Sequence, residues 1–402
     1  MGESVWVLGA TMTKFGRFAD KDLVDLASEA AIGALDDAGV GMRDMQVLAA
    51  GNLEEASTGV GQRIQHQLGQ YGVPVFNVVN ACATGATAVR AVYLSIAAGE
   101  ADMGLAVGAE QMGKQGLLNA GKKARTGEKR VFAPRGRYGA LQGVEGVLGS
   151  GLMPGVFAKA GLEYAAEHDG VGFEQFAKVA VKNHAHSALN PLAQYRDAFS
   201  LEQVMAADMI GYPNTVLMCC PTGDGAAAVV LVSEKKLKTL DPDQQRRAVK
   251  ISASVLTSDP FTEADHVQPD INTLTRRAAD EAYAKAGVDP QDLDLVELHD
   301  CFATAELVHY DNLRLCEPGG AGDFIDSGAP TRDGRIPVNV SGGLISKGHP
   351  IGATGVAGIY EITTHLRGEA GDRQVSDAKV GLAHVIGLGS SCGVHILERR
   401  AS

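Results

Sequence analysis

Apolar and polar positions along the chain fall into two alternating patterns. Short, nearly continuous apolar runs at 5–9, 46–51, 73–79, 103–109 and 226–232 read as buried strands, and the runs at 249–256, 293–298, 381–389 and 393–397 read the same way. Stretches with apolar residues three and four positions apart, at 22–38, 62–69, 86–98 and 272–286, read as helices, the first closed by Gly39. The run 215–220 is expected to be a strand, 241–247 a polar linker, and the Gly- and Ala-dense region up to about 213 loops and short helices. The regular alternation predicts a layered α/β protein.

Two of these strand–helix junctions resemble each other. Laying Cys82 over His349, an offset of 349 − 82 = 267, aligns Gly85, Ala86, Thr87, Val89 and Tyr93 with Gly352, Ala353, Thr354, Val356 and Tyr360. A second pair of segments agrees at 287 − 39 = 248, where Ala38-Gly39-Val40 matches Ala286-Gly287-Val288 and Asp44 matches Asp292. The chain therefore reads as two related βα halves. Packing about a pseudo-twofold would bring the matched helix N-termini together, and with them a cysteine and a histidine. A cysteine with a histidine in reach is a nucleophile with its base. The position of Cys82 before a helix is also expected to favour its thiolate through the helix dipole.

Composition narrows the classes. A chain of 402 residues suits two domains or one duplicated domain. A net charge of −12 argues against general nucleic-acid binding. No apolar run is long enough to span a membrane, and the N-terminus lacks the order of a signal peptide. The six cysteines form no Cys-x-x-Cys pair, so neither a metal site nor a disulfide framework is read, and a cytoplasmic setting is expected. His184 and His186 are read as loop or core polar residues.

Residues 112–137 carry eight Lys and Arg against Glu128 alone, 8 − 1 = +7, in an otherwise acidic chain. Such an island could hold a phosphorylated ligand such as coenzyme A, or it could be a solvated surface loop. Later, the strand at 293–298 ends in His299-Asp300-Cys301-Phe302. Titratable residues at the C-terminal end of a buried strand usually face a ligand crevice. Asp300 is expected to cap the following helix.

Four motifs, Asn80 to Gly85, Cys219 to Gly225, His299 to Phe302 and Ser341 to Gly355, occur in the order found in the thiolases, which the chain resembles end to end. Within them it is most similar to the sterol carrier protein-associated type. The resemblance implies a five-layered αβαβα fold, with residues 1–111 and 214–240 as the N-terminal half, 112–213 as an inserted loop domain over coenzyme A, and 247–402 as the C-terminal half. No appended sterol-carrier domain is expected. It implies that Cys82 is the nucleophile, that His349 takes its proton and contributes an oxyanion donor, and that His299 is a further oxyanion donor. Most thiolases carry a second acid/base cysteine in a Cys-x-Gly turn near the C-terminus. Here that turn reads Val385-Ile386-Gly387-Leu388-Gly389, so the role passes to Cys301, Cys392 is structural, and the Gly387 N–H becomes a candidate oxyanion donor.

By the same resemblance, the activity is CoA-dependent cleavage of a 3-oxoacyl-CoA, or the reverse Claisen condensation. Coenzyme A and acyl-CoA are substrates, no cofactor is permanently bound, and Lys123, Arg135, Arg137, Thr222 and Ser341 are the candidate contacts. A homodimer or tetramer is implied. Two other readings remain: a thiolase-like aldolase or lyase working with an OB-fold partner, and a non-catalytic acyl-CoA-binding protein.

Overall fold

The computed structural model describes residues 2–112, 135–136, 139–140, 152–259, 271–388 and 391–400. Lys123 and Arg137 lie outside the described residues, as does the side chain of Arg135. Among the described residues, nine strands hydrogen-bond in one ladder: β1 (Val5–Met12), β2 (Val47–Gly51), β3 (Val75–Val78), β4 (Met103–Gln111), β5 (Asp224–Ser233), β6 (Val249–Thr257), β7 (Leu295–Glu297), β8 (Val380–Gly387) and β9 (Ser391–Arg399). Their order is β7-β8-β9-β6-β1-β5-β4-β2-β3.

That order is a duplication. From β1 outward the pairings run antiparallel to β5, antiparallel to β4, then parallel to β2 and β3. From β6 outward they run antiparallel to β9, antiparallel to β8, then parallel to β7, which makes a parallel bridge to Val338 where β3 would stand. The halves join at a short seam, Trp6 against Lys250 and Val7 against Val249.

Helices complete five layers. The first, α1 (Leu23–Ala38), packs on the outer face of β1, β4 and β5. It is started by a capping box, in which the Asp22 carboxylate accepts from the Val24 and Asp25 N–H groups, and ended by Gly39 at φ 66°. Next, α2 (Val60–Gln67) packs beside it. In the middle layer, α3 (Thr84–Ala97) and α9 (Ile351–Arg367) lie against each other, touching strands of both halves. The far side of β6 and β9 is covered by α6 (Ile271–Ala286). Being enclosed, α9 is buried almost all round, as a helix in a central layer must be.

Three sequence expectations need correction. The region before 213 holds two helices of four turns each, α4 (Leu152–Glu167) and α5 (Phe173–Ser187). Their Ala- and Gly-rich faces look loop-like until they pack against α7 (Ala303–Asn312) and α8 (Gly343–Lys347). The expected strand at 215–220 is only the two-residue strand Asn214–Thr215 followed by the 3-10 turn Val216–Met218. The linker at 241–247 is a helix from Pro242 to Arg247, with Pro at its first turn. No helix among the described residues is long and apolar enough to cross a membrane.

The middle layer is held close by missing side chains. A Cβ on Gly355 would lie 2.3 Å from the Ala86 nitrogen, one on Gly85 2.7 Å from the Gly352 carbonyl oxygen, and one on Gly108 2.2 Å from the same oxygen. On the same helix, a Cβ on Gly358 would meet only the Ala383 Cβ at 3.5 Å, an ordinary contact. Gly355→Ala is expected to destabilise the fold by about 1–3 kcal/mol through overpacking. Gly358→Ala should be neutral or stabilising by up to ~1 kcal/mol, because it removes a helix-interior glycine. Urea unfolding of the two variants checks this, and equal midpoints would remove the close crossing as the cause.

Candidate active site

Cys82 and His349 occupy the same place in the two repeats. The N-cap of α3 is Ala83 and that of α9 is Pro350, so each residue immediately precedes its cap. The nucleophile turn is fastened from several sides. Ala81 sits at φ 46°, an unfavourable left-handed conformation for a non-glycine residue. The Thr84 hydroxyl donates to the Ala81 carbonyl at 2.6 Å and accepts from the Asn80 N–H at 2.8 Å. The Asn80 side-chain amide donates to Thr87 at 2.8 Å, and the Ser391 hydroxyl donates to the Asn80 carbonyl at 3.0 Å. Gly387, at the end of β8, abuts this turn: a Cβ there would be 2.4 Å from the Asn80 oxygen and 3.1 Å from the Ala83 nitrogen.

Two residues 267 positions apart are in contact, with 3.4 Å between His349 Nε2 and Cys82 Sγ. The other ring nitrogen decides the direction of that hydrogen bond. His349 Nδ1 is 2.7 Å from Thr354 Oγ1, and the Thr354 hydroxyl donates its single proton to the Pro350 carbonyl at 3.0 Å. Thr354 can therefore only accept from the imidazole, so Nδ1 carries the hydrogen. Nε2 is then the acceptor, facing the Cys82 thiol as a base must.

His299 stands at the mouth of β7 with its ring 5.2 Å from that of His349 and nearly perpendicular to it. Its backbone N–H points to His384 Nδ1 at 3.4 Å, and its own Nδ1 is buried without a partner. Phe157 of α4 stacks on Phe302 at 5.5 Å and lies 6.3 Å from the His299 ring. Cys301 is buried beside it. The Cys220 N–H donates to the Cys301 carbonyl at 2.9 Å, and Cys219 bridges Phe302, so two of the sequence motifs are clipped together.

Asp300 is structural, but not as the sequence suggested. The following helix, α7, has Phe302 at its N-cap without a side-chain bond. The Asp300 carboxylate instead accepts from the Leu344 and Ile345 N–H groups at 2.6 and 3.3 Å, capping α8 some forty residues later, and from Asn183 at 2.8 Å. Ser341 is also corrected. It has no exposed surface, and its hydroxyl and N–H both donate to Glu297, at 2.5 and 3.1 Å, so nothing of it is left for coenzyme A. Thr222 lies on the 219–225 segment, its carbonyl accepting from the Gln194 side chain at 3.3 Å. His184 and His186 lie on α5 and are hydrogen-bonded core residues, bonded to Ser346 and Leu217 and to Asn339 and Arg332 respectively. Cys392 is fully buried in β9.

Burial works against the expected thiolate. Burial pushes the Cys82 thiol up to about 12, the charge of Glu110 adds to this, and a bond from its own backbone N–H only partly offsets it. Burial likewise takes His349 down to about 3. The resting pair is a neutral thiol donating to a neutral imidazole. Cys301 is raised by burial and by the neighbouring Cys220, Cys82 and Asp300.

Sequence reasoning missed Thr354 and Glu110. Thr354 had a signal, its match to Thr87 in the repeat. Glu110 had none: it is a single acid at the end of an apolar strand. It is fully buried, and it accepts from the Leu53, Glu54 and Gly352 N–H groups and the Asn52 amide at 2.8–3.1 Å. Burial holds it up at about 7.

A thiol aligned on an imidazole acceptor, at the meeting point of two duplicated helix N-termini, is a cysteine nucleophile paired with its base. Residues 5–209 match the thiolase N-terminal domain and residues 262–399 the thiolase C-terminal domain-like family, so the chain belongs to the thiolase family. It is 40% identical to sterol carrier protein 2 of Bos taurus over 402 residues, covering 98% of this chain and 72% of that protein. It is 35% identical to the acetyl-CoA acetyltransferase of Methanothermobacter thermautotrophicus, covering 98% and 99% of the two chains. Among solved structures, the Ltp2-ChsH2(DUF35) aldolase shares the fold with a TM-score of 0.78 at 23% identity over 98% of both chains.

The neutral resting pair has a pH signature. With the thiol raised to about 12 by burial and by Glu110, the thiolate fraction climbs tenfold per pH unit below that value. Iodoacetamide labelling of Cys82 in the free protein should therefore rise about 100-fold from pH 7 to pH 9, without a plateau. A labelling rate flat across that range would mean a preformed thiolate–imidazolium pair.

Proposed function

We propose that this protein is a thiolase in the catalytic sense, cleaving a 3-oxoacyl-CoA with coenzyme A, or condensing acyl-CoAs in reverse, through a thioester on Cys82. The observation that carries this reading is the 3.4 Å contact from His349 Nε2 to Cys82 Sγ, with Nε2 as the acceptor. Cys82 attacks the keto carbon as His349 takes its proton, so charge develops only as the C–S bond forms. The bond between the α and β carbons breaks, and the enolate of acetyl-CoA takes a proton from the Cys301 thiol. In the second half, coenzyme A gives its thiol proton to the Cys301 thiolate and its sulfur attacks the thioester. Cys82 leaves and recovers its proton from His349. No net charge is created across either half.

The developing oxyanions need donors in place. His299 and His349 serve the enolate, and the N–H groups of Cys82 and Gly387 serve the tetrahedral intermediate. One such donor is typically worth about 3–4 kcal/mol. The close packing of Gly387 against the Asn80–Ala83 turn supports its part in this reading. Thr222, with Lys123, Arg135 and Arg137 of the basic segment, remains the candidate contact set for coenzyme A.

Intact-protein mass spectrometry after incubation with a 3-oxoacyl-CoA tests the reading. An acyl adduct on Cys82, discharged by coenzyme A and absent in Cys82→Ala, is the expected result. Cys301→Ala should slow turnover about 10²–10⁴-fold, as loss of a positioned acid/base does. An unmodified Cys82 with release of an aldehyde or ketone would replace this reading with the lyase, and tight binding without turnover would replace it with the binding protein.

The functional unit is a dimer in this reading. The edge strand β3 has no neighbour on its outer side among the described residues, and Phe76 within it and Val79 just after it are each 48% exposed. An unpaired apolar edge of this kind is a template for pairing, and a second copy of the same strand completes it. Light scattering should give twice the chain mass or a multiple of it, and Phe76→Lys should shift the protein toward monomer. A monomeric wild type at micromolar concentration would rule the dimer out.

A further inference from the structure

The spacing of histidines and cysteines along the chain contains no metal motif, yet folding brings three ligating side chains to one point. Among the described residues, Cys82, His299 and His349 each offer a donor atom, and these atoms all lie within 4.8 Å of one another. All three residues are buried. We propose that Cys82, His299 and His349 form a reversible, inhibitory site for a borderline-soft divalent cation of the zinc class, which disables the nucleophile while it is bound.

The donor set suits such an ion. One thiolate and two imidazoles are the ligands of a zinc centre that keeps a fourth position open to water. Bond lengths of about 2.3 Å to sulfur and about 2.0–2.1 Å to nitrogen place tetrahedral ligand atoms about 3.4–3.6 Å apart. Cys82 Sγ and His349 Nε2 are already at 3.4 Å. The His299 donor atom, within 4.8 Å of the other two, reaches that spacing by side-chain rotation.

The lone pairs are set as well. Thr354 fixes the hydrogen of His349 on Nδ1, leaving Nε2 free toward Cys82. A hydrogen bond from the far nitrogen to an outer partner is the support that metal-bound histidines characteristically have. His299 adds a buried ring whose Nδ1 makes no hydrogen bond, so neither of its tautomers is locked by a partner there. Hard cations such as magnesium and calcium prefer oxygen ligands and find none in this trio.

The binding step is a ligand exchange. The Cys82 S–H bond breaks and its proton leaves to the buffer. Sulfur and two nitrogens take the place of all the waters of the hydrated ion except the one that keeps the fourth position, as the ion contracts to four-coordinate geometry, and no electron changes hands. Because the metal and the acyl group bond to the same sulfur, each excludes the other.

Cobalt(II) is the probe for the bound geometry and zinc the probe for occupancy. The purified full chain should take up one cobalt with an intense thiolate-to-cobalt absorption band. That band should be lost in Cys82→Ala and kept in Cys220→Ser, a nearby cysteine outside the trio. Thr354→Val should weaken cobalt affinity about 10–100-fold, as loss of an outer-shell partner does. In the wild type, saturating zinc should slow iodoacetamide labelling of Cys82 at least tenfold, a chelator should restore it, and magnesium should do nothing. Unchanged labelling under saturating zinc, or an unchanged band in Cys82→Ala, would overturn the site. Neither readout needs turnover, so failure here leaves the thiolase reading standing, and failure of that reading leaves this one standing.

Discussion

Everything at the active site depends on how closely α3 and α9 cross. Side chains ordinarily keep helix axes 8–10 Å apart. Here Gly85, Gly352 and Gly355 put backbone against backbone, with Gly108 of β4 making the same approach from the sheet. The two helix N-termini then share one small volume, and the residues just before their caps, Cys82 and His349, are brought within hydrogen-bond reach. A side chain at Gly85 or Gly355 would part the two helices, one at Gly108 or Gly352 would lift α9 from the strands beside it, and either shift would lengthen the thiol–imidazole contact.

The second constraint is a pair of buried charge networks under the His299–Phe302 turn. Lys182 pairs with Glu306 at 2.8 Å and donates to the Val338 carbonyl at 2.7 Å. Asn183 and Asn339 also bond Glu306, and Asn183 continues to Asp300. Beside it, Lys347 lies 3.5 Å from Glu297 and 3.8 Å from Glu361, and Arg373 holds Glu361 at 2.7 Å. Buried ion pairs are poor sources of net stability, yet removing one partner typically costs about 3–5 kcal/mol. What these networks supply here is register: they bind α5, α7, α8 and α9 around the turn that carries His299 and Cys301.

Four side chains of the site are held neutral at rest, with Glu110 the acid beside them. Cys82 is a thiol, His349 and His299 are driven toward neutral imidazoles by burial, and Cys301 is a thiol. Buried, uncharged surroundings do not stabilise a resting thiolate, but they strengthen every bond to charge that develops during reaction. Burial is the largest influence on both Cys82 and His349, and it opposes the resting thiolate that the helix N-terminus would favour.

Much was legible in one dimension. Strand and helix patterns, the offset of 267 between Cys82 and His349, and the matched Thr87 and Thr354 are all properties of the chain order, because a duplicated gene segment leaves its period in the residues themselves. From that period alone follow the two halves, the paired helices and the expectation that a cysteine meets a histidine. Five things only the folded chain decided. The tautomer of His349 depends on where the Thr354 proton goes. The acidity of Cys82 depends on burial and on Glu110, an isolated acid with no local pattern. The partner of Asp300 is a helix some forty residues away, and Ser341 is spent on Glu297. The trio of metal-capable ligands also belongs to the fold, since His299 stands outside the repeat that pairs Cys82 with His349. Periodicity is written by local geometry and survives in sequence. Proton positions and desolvation are set by neighbours distant along the chain, and so exist only once the chain has folded.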